Sequence, residues 1–267
     1  MAVAEAVVPR FEVGRALKRT FGAIGQNPIT FGILSLVVGI PIVVIDLAFN
    51  PYTAGMVSAD NPFSAEILRF SALFWIVFLL CSFVLQAGAV VGITSYVNGR
   101  TASLTECLST GISFVPQFVL MTALMLAAFI VGFVLLVVPA IILMMMWFVA
   151  GPACVVEHTG VLQAMRRSRA LTKGYRWRIF GLYLLLCLFA FSVSAMSAVV
   201  TGTTLFPASQ EAAIAAAANR SLAQLASSII ATMFNSVISA TLVAAIYYEL
   251  RQIKDGVGPE ALATVFD

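Results

Sequence analysis

Charge is scarce in this sequence. Only 10% of its residues are Asp, Glu, Lys or Arg, against about 25% in an ordinary soluble domain. Histidine is scarcer still, with His158 the single example. The four cysteines, Cys81, Cys107, Cys154 and Cys187, are scattered singly, and no CxxC occurs. That spacing argues against a zinc site and against a disulfide framework. Three of the four read as small apolar side chains within long apolar segments, and Cys107 falls on a shorter amphipathic stretch. No GxxxxGK[ST] phosphate loop, HExxH motif or GxSxG elbow is present, so the usual signatures of phosphate, zinc and serine chemistry are missing. No apolar segment carries paired carboxylates. These absences lead to the expectation of a non-enzymatic protein with no catalytic residue, no metal and no cofactor.

What the chain has instead is apolar length. It is 61% hydrophobic, with a mean hydropathy of +1.02 over 28.5 kDa. A soluble fold of that size cannot hide so much apolar surface, so lipid must be the solvent. Residues 1–27 carry Arg10, Glu12, Arg15, Lys18 and Arg19. No short apolar core with a small-residue cleavage site precedes the first long apolar segment, which is therefore expected to stay as a signal anchor. Five apolar blocks follow, at 31–49, 70–97, 118–156, 180–200 and 222–248. Four have the length of one membrane span, the second being long enough to tilt or to project. The third is about twice as long as the roughly 20 residues a span needs.

Flanking charge decides how that third block is read. If it crosses twice, 13 of the 15 Lys and Arg lie on one side, and only Arg69 and Arg220 lie on the other. If it crosses once, the basic cluster at 166–178 falls on the opposite side from its neighbours and the bias collapses. The positive-inside rule favours two crossings. Pro139 sits at the middle of the block and is predicted to form the turn, since proline disfavours helix at the residue before it. The alternative is one kinked helix, because membrane helices tolerate proline. Two crossings give an all-α integral membrane protein with six transmembrane helices and both termini in the cytoplasm. The spans are placed at about 31–49, 70–97, 118–138, 140–156, 180–200 and 222–248 of a single membrane domain, 1–267. A further short helix is expected in the outer loop 201–221, within the Ala-rich "EAAIAAAANR".

Three polar segments precede the span pairs and read as cytoplasmic interfacial amphipathic helices. In 10–27, Val13, Leu17, Phe21 and Ile24 share one helical face, and Asn27-Pro28 ends the helix. In 103–113, Ser103 and Glu106 have the spacing of a capping box ahead of Leu104, Cys107, Leu108, Gly111 and Ile112. In 160–173, Val161, Leu162, Ala164 and Met165 oppose Arg166, Arg167, Arg169 and Lys173, with Gly174 placed to cap the C-terminus. The strings "RALKRT", "ECLSTG" and "QAMRRS" share a small-then-large apolar pair, followed three residues after the small one by a small or basic residue. They predict three repeats of one short helix plus two spans.

Few groups within or beside the spans can do chemistry. Asp46, near the outer end of the first span, is a weak candidate for a cation or proton site, or it simply reaches the headgroups. Glu157 and His158 follow the fourth span and could exchange a proton. Alternatively Glu157 pairs with Arg167 or Arg251, which makes Glu157, Arg167, Ser168 and Arg251 the candidate inner-face group. Arg166, Arg169, Lys173, Arg176 and Arg178 are candidate contacts for anionic lipid headgroups. "YRWR" at 175–178 reads as interfacial aromatics beside arginines, so no nucleic-acid partner is expected. Gly39-Ile40-Pro41 and Gly151-Pro152 are possible breaks of the kind transporters use.

The stretch "GPACVVEHTGVLQAMRRSRALTKGYRWRIFGLYLL", through Pro152, Glu157, Gly160, Ala164, Arg167-Ser168, Leu171-Thr172 and Gly174, resembles a known pattern. With "YYELRQIKDG" and "RALKRTFGAIGQNPITF", it is similar to the membrane domain of glycerophosphoryl diester phosphodiesterases and the related YciC-like inner-membrane proteins of bacteria. The resemblance implies a multi-span protein of the bacterial inner membrane. Those enzymes carry catalysis on a separate soluble barrel, which is expected to be missing here, so the diesterase activity is not carried over. The expected function is that of a scaffold or envelope-maintenance factor. Its basic cytoplasmic face would contact anionic lipids, a protein partner or a second copy of the chain. The alternative is a small-solute or lipid transporter or channel.

Overall fold

The computed structural model describes residues 11–50, 64–135, 137–204 and 207–256. Arg10, residues 51–63 and the last eleven residues lie outside them. The described residues form helices only: α1 (Val13–Gln26), α2 (Pro28–Phe49), α3 (Ala65–Val97), α4 (Leu104–Ser113), α5 (Val115–Leu135), α6 (Val137–Met146), α7 (Ala150–Glu157), α8 (Val161–Thr172), α9 (Arg176–Thr201), α10 (Gln210–Ala218) and α11 (Leu222–Asp255). Six segments are long and apolar enough to cross a bilayer: α2, α3, α5, α6 with α7, α9 and α11.

Their outward faces confirm which solvent they need. On α9, Leu184, Leu188, Phe191, Val199 and Val200 are exposed, and on α5 so are Leu126, Ile130, Val131 and Phe133. Only 11% of the most apolar window of α9 is buried, and 17% of that of α5. A soluble monomer does not present apolar surface on that scale. In a bilayer the same side chains meet acyl chains and need no cover.

The long block does hold two segments long and apolar enough to span, but Pro139 is not the turn between them. α5 ends at Leu135 and α6 begins at Val137, so Pro139 lies in the first turn of α6. An N–H is not required there, and the fixed proline φ suits the helix. The chain reverses just before it: a Cβ placed on Gly132 would come within 3.5 Å of the Ala140 Cα. The fourth span, expected as continuous, is interrupted at 147–149 between α6 and α7. Pro152 falls in the first turn of α7 and cannot donate to the carbonyl four residues back, so a new helix start replaces a continuing one. The Ala150 N–H, which would otherwise reach Met146, bonds to the Trp147 carbonyl at 3.0 Å. The Met146 carbonyl instead accepts from the hydroxyls of Ser168 (2.9 Å) and Thr172 (3.3 Å) on α8. A buried backbone carbonyl is thus satisfied by side chains from another helix.

α3 and α11 have 33 and 34 residues, about 50 Å each at 1.5 Å per residue. Both exceed the roughly 30 Å hydrocarbon core. Their C-terminal ends lie together, with the Thr94 and Tyr248 hydroxyls 2.6 Å apart. The four short helices α1, α4, α7 and α8 pack around them at this one end, which also gathers most of the described basic residues. The best-buried large side chains lie here as well, including Ile93, Leu171, Ile179, Tyr247 and Leu250.

The short helices sit inside this layer more deeply than the sequence suggests. α1 buries Ala16, Thr20 and Ala23; Phe21, expected on its apolar face, is exposed. α4 buries Cys107 and Gly111 and exposes Ile112. A Cβ on Gly111 would stand 2.7 Å from the Val84 carbonyl oxygen, so only glycine lets α4 approach α3 this closely. Ser103 does precede α4, but its hydroxyl caps nothing. The capping box of this fold is at α11, where Ser221 and Gln224 bond each other's backbone N–H. Gly174 follows α8 with φ +91°, as its predicted capping position requires.

Candidate functional site: ion pairs around the end of α11

The C-terminal end of α11 reads YYELRQIKD, Tyr247 to Asp255, and its polar side chains point in two directions. On one side Glu249 is buried, with 1% of its side chain exposed. Its carboxylate lies 2.9 Å from Arg15 Nε and 3.1 Å from Arg19 Nη1, both on α1. Arg19 also donates to the Gln252 side-chain oxygen at 2.6 Å. Arg15 and Arg19 are four apart, one helical turn, so both reach the same carboxylate. Thr94 and Tyr248 close the layer next to this group.

On the other side α11 meets α7 and α8. Glu157, the last residue of α7, accepts from Arg167 Nε at 2.7 Å and from the Tyr247 hydroxyl at 3.0 Å. Arg167 bridges onward to Asp255, which also lies 3.8 Å from Arg251. Burial works against charge on Arg167. Its hydrogen bonds to Asp255 and Glu157 more than offset that, so its guanidinium holds its proton even more firmly than usual. Lys254 stands over the Tyr175 ring, 5.5 Å from its centroid. The end of α11 therefore ties α1 to α7 and α8.

The expected pairing of Glu157 with Arg167 is present. Arg251 is not its partner; its ion pair is to Asp255. Ser168 does not belong to an exposed functional group, since it is buried and donates to the Met146 carbonyl. His158 turns the chain after α7 with φ 47° and packs on Phe114. Arg166, Arg169, Lys173 and Arg178 are exposed and Arg176 is half-buried. Arg178 also donates to the Phe11 carbonyl at 3.1 Å, so it is partly engaged within the fold. Asp46 lies at the opposite end, accepting from Asn50 at 2.9 Å and facing Arg220 at 3.4 Å. No group of three or more His, Cys, Asp or Glu is placed to hold a metal ion among the described residues.

Sequence reasoning missed Glu249. The signal was available: a carboxylate two residues into the basic "YYELRQIK" segment, on the helix face between two buried aliphatic residues, Ile246 and Leu250. It also understated the three aligned strings. Each buries a pair of small side chains one turn apart: Ala16 and Thr20, Cys107 and Gly111, Ala164 and Ser168. Arg19 and Arg167 hold the same place in those strings, and both reach α11.

Two of the cavities have polar walls, and the first of them lies beside this arrangement. One, of about 350 Å³, is lined by Arg15, Lys18, Arg19, Tyr96, Val97, Tyr248 and Gln252. The other, of about 440 Å³, opens between α9, α10 and α11 at the far end. Ser194, Ser197, Thr201, Ser227, Thr232 and Asn235 line it, with Arg220 also on its wall.

Long lipid-facing helices with a polar cap at one end define a multi-pass α-helical membrane protein. The chain belongs to the family described as a domain of unknown function, DUF7847, which matches residues 11–250. The match takes in Arg15, Arg19, Glu157, Arg167 and Glu249, and stops short of Gln252 and Asp255. Comparisons with curated proteins and with solved structures give no match.

Proposed function

We propose that this protein is a non-enzymatic scaffold or maintenance factor of the bacterial inner membrane, with its basic end and both termini in the cytoplasm. It engages anionic lipid headgroups there, and through them or beside them a protein partner or a second copy of the chain. The observation that carries this reading is the division of labour among the cations. Arg15, Arg19 and Arg167 are committed to carboxylates, while Arg166, Arg169 and Lys173 stay exposed on the outward side of α8. Trp177, 83% exposed, stands beside them, as an interfacial aromatic does. Short helices at the level of the headgroups, each ahead of a span pair, support the three-unit interfacial reading. Membership of the glycerophosphodiesterase membrane-domain and YciC-like group stays part of this proposal.

The experiment is extraction of the protein with its surrounding lipid into polymer discs, followed by lipid mass spectrometry. Anionic lipid is expected to be enriched over the bulk membrane, and R166Q/R169Q/K173Q to reduce that enrichment severalfold. Equal lipid composition in both would sink the reading.

A small-solute transporter is the second reading, favoured by the hydroxyl-lined cavity between α9 and α11. The densely packed layer at Tyr247, Leu250 and Ile179 opposes it, because it closes the inner side. Solute flux into proteoliposomes above that of empty vesicles would establish transport.

A further inference from the structure

We infer that the cavity between α1, α3 and α11 is a binding site for a phosphate group, presented by an anionic phospholipid of the leaflet in which α1 lies. This deepens the lipid-contact reading, but places the specific contact away from the exposed cations of α8.

Three cations, Arg15, Lys18 and Arg19, line the cavity together with the Tyr96 and Tyr248 phenols and the Gln252 amide. No carboxylate is on its wall. Glu249, behind it, and Glu12, 3.4 Å from Arg15, compensate two of the three positive charges, leaving an excess of one. Arg15 and Arg19 are not free to leave: Glu249 and Gln252 hold their guanidinium groups in place. A guanidinium has five donors in a planar fork, and the contacts of Arg19 with Glu249 and Gln252 leave it N–H groups for a further acceptor. Lys18, exposed on the cavity wall, adds a compact charge of the kind that binds phosphate as a point. Tyr248 is fixed by Thr94 at 2.6 Å. Tyr96 is pressed against α1 so closely that a Cβ on Gly22 would meet its hydroxyl at 2.3 Å. The cavity is thus built from side chains already positioned, which lowers the entropic cost of capture. Its volume of about 350 Å³ admits a headgroup but not a folded domain. Its place beside Val97, at the end of a helix longer than the bilayer is thick, sets it at headgroup level.

The test uses the full chain in phosphatidylcholine nanodiscs, with and without phosphatidylglycerol, read by native mass spectrometry of retained lipid. A separate arm adds inorganic phosphate and glycerol 3-phosphate to the pure phosphatidylcholine discs and reads thermal stability. The expected result is selective retention of phosphatidylglycerol. K18Q should weaken it about fivefold, the effect of one basic residue at a membrane surface; K18R should retain it. R166Q/R169Q should leave this tightly held lipid in place while reducing the looser surrounding pool. K18Q removes an exposed side chain, and unchanged thermal stability without lipid checks its folding. Stabilisation by soluble phosphate with no lipid retention would overturn the lipid assignment in favour of a free phosphate compound. Retention that survives K18Q but is lost in R166Q/R169Q would overturn the cavity and leave the α8 reading standing. No selective retention and no effect of soluble phosphate would overturn the inference outright, while polymer-disc lipid analysis would still judge the broader proposal.

Discussion

Replacing Glu249 is the sharpest perturbation this fold offers. Its carboxylate is almost wholly buried and faces two guanidinium groups at 2.9 and 3.1 Å. Removing one partner of a buried pair typically costs about 3–5 kcal/mol, because the other partner is left as an uncompensated charge. Here the arginines differ in their access to water, with 36% of the Arg15 side chain exposed and 19% of that of Arg19. Arg15 can rehydrate more readily, and Arg19 keeps its bond to Gln252. The lower figure of about 3 kcal/mol is therefore expected for E249Q, which keeps the shape. At about 2–4 °C per kcal/mol for a large chain, the thermal midpoint in detergent should fall by roughly 6–12 °C. The companion variant R15M/R19M/E249L removes all three charges and replaces them with apolar atoms. It should recover most of the loss, since apolar replacement of a whole buried ionic group is often neutral or stabilising. Thermal unfolding followed by size-exclusion fluorescence reads both. A fall of less than about 2 °C for E249Q would refute the claim that this pairing fastens α1 to α11. Failure of the triple variant to recover would show that the charges hold a geometry which packing cannot replace.

R167A should destabilise by about 1–2 kcal/mol, since it strips hydrogen bonds from Glu157 and Asp255 that are only partly buried; R166A, exposed one position away, should change the midpoint little. G111A forces a Cβ to within 2.7 Å of backbone on α3 and should cost about 1–3 kcal/mol through the shift it imposes, whereas G14A, which meets nothing, should be neutral or slightly stabilising. Cys107 should resist a membrane-impermeant maleimide at pH 8. The thiol is buried, and burial together with Glu106 pushes its pKa up to about 11, so its reactive thiolate becomes appreciable only as pH rises toward that value. A cysteine introduced at Arg166 in a Cys107→Ser background should label from the cytoplasmic side and one introduced at Pro139 from the other; labelling of both from one side would refute the double crossing.

The sequence alone determined the class of protein, the number of spans and the reversal near Pro139. All three follow from local apolar length and from which side each basic cluster must occupy, and none depends on knowing what touches what. The Glu157–Arg167 pair was legible for the same reason: ten residues and one tight turn separate the partners. Three short helices were legible from their periodicity, and so were most of the buried positions of α4 and α8: Cys107, Gly111, Val161, Ala164 and Met165. In α1 the large apolar side chains pointed to one face, yet close approach to α11 and α3 favours the small face of Ala16, Thr20 and Ala23. The break at 147–149 needed knowledge that Ser168 and Thr172 would be there to satisfy the Met146 carbonyl. Glu249 needed most of all the tertiary structure. Its partners come from the opposite end of the chain, the Arg19–Gln252 bond alone spanning 233 positions. A carboxylate among basic residues looks like a solvated surface group until α1 is laid across it. Apolar length selects the solvent and the topology; only the packing of the projecting helix ends decides which charges are locked together and which remain available to bind.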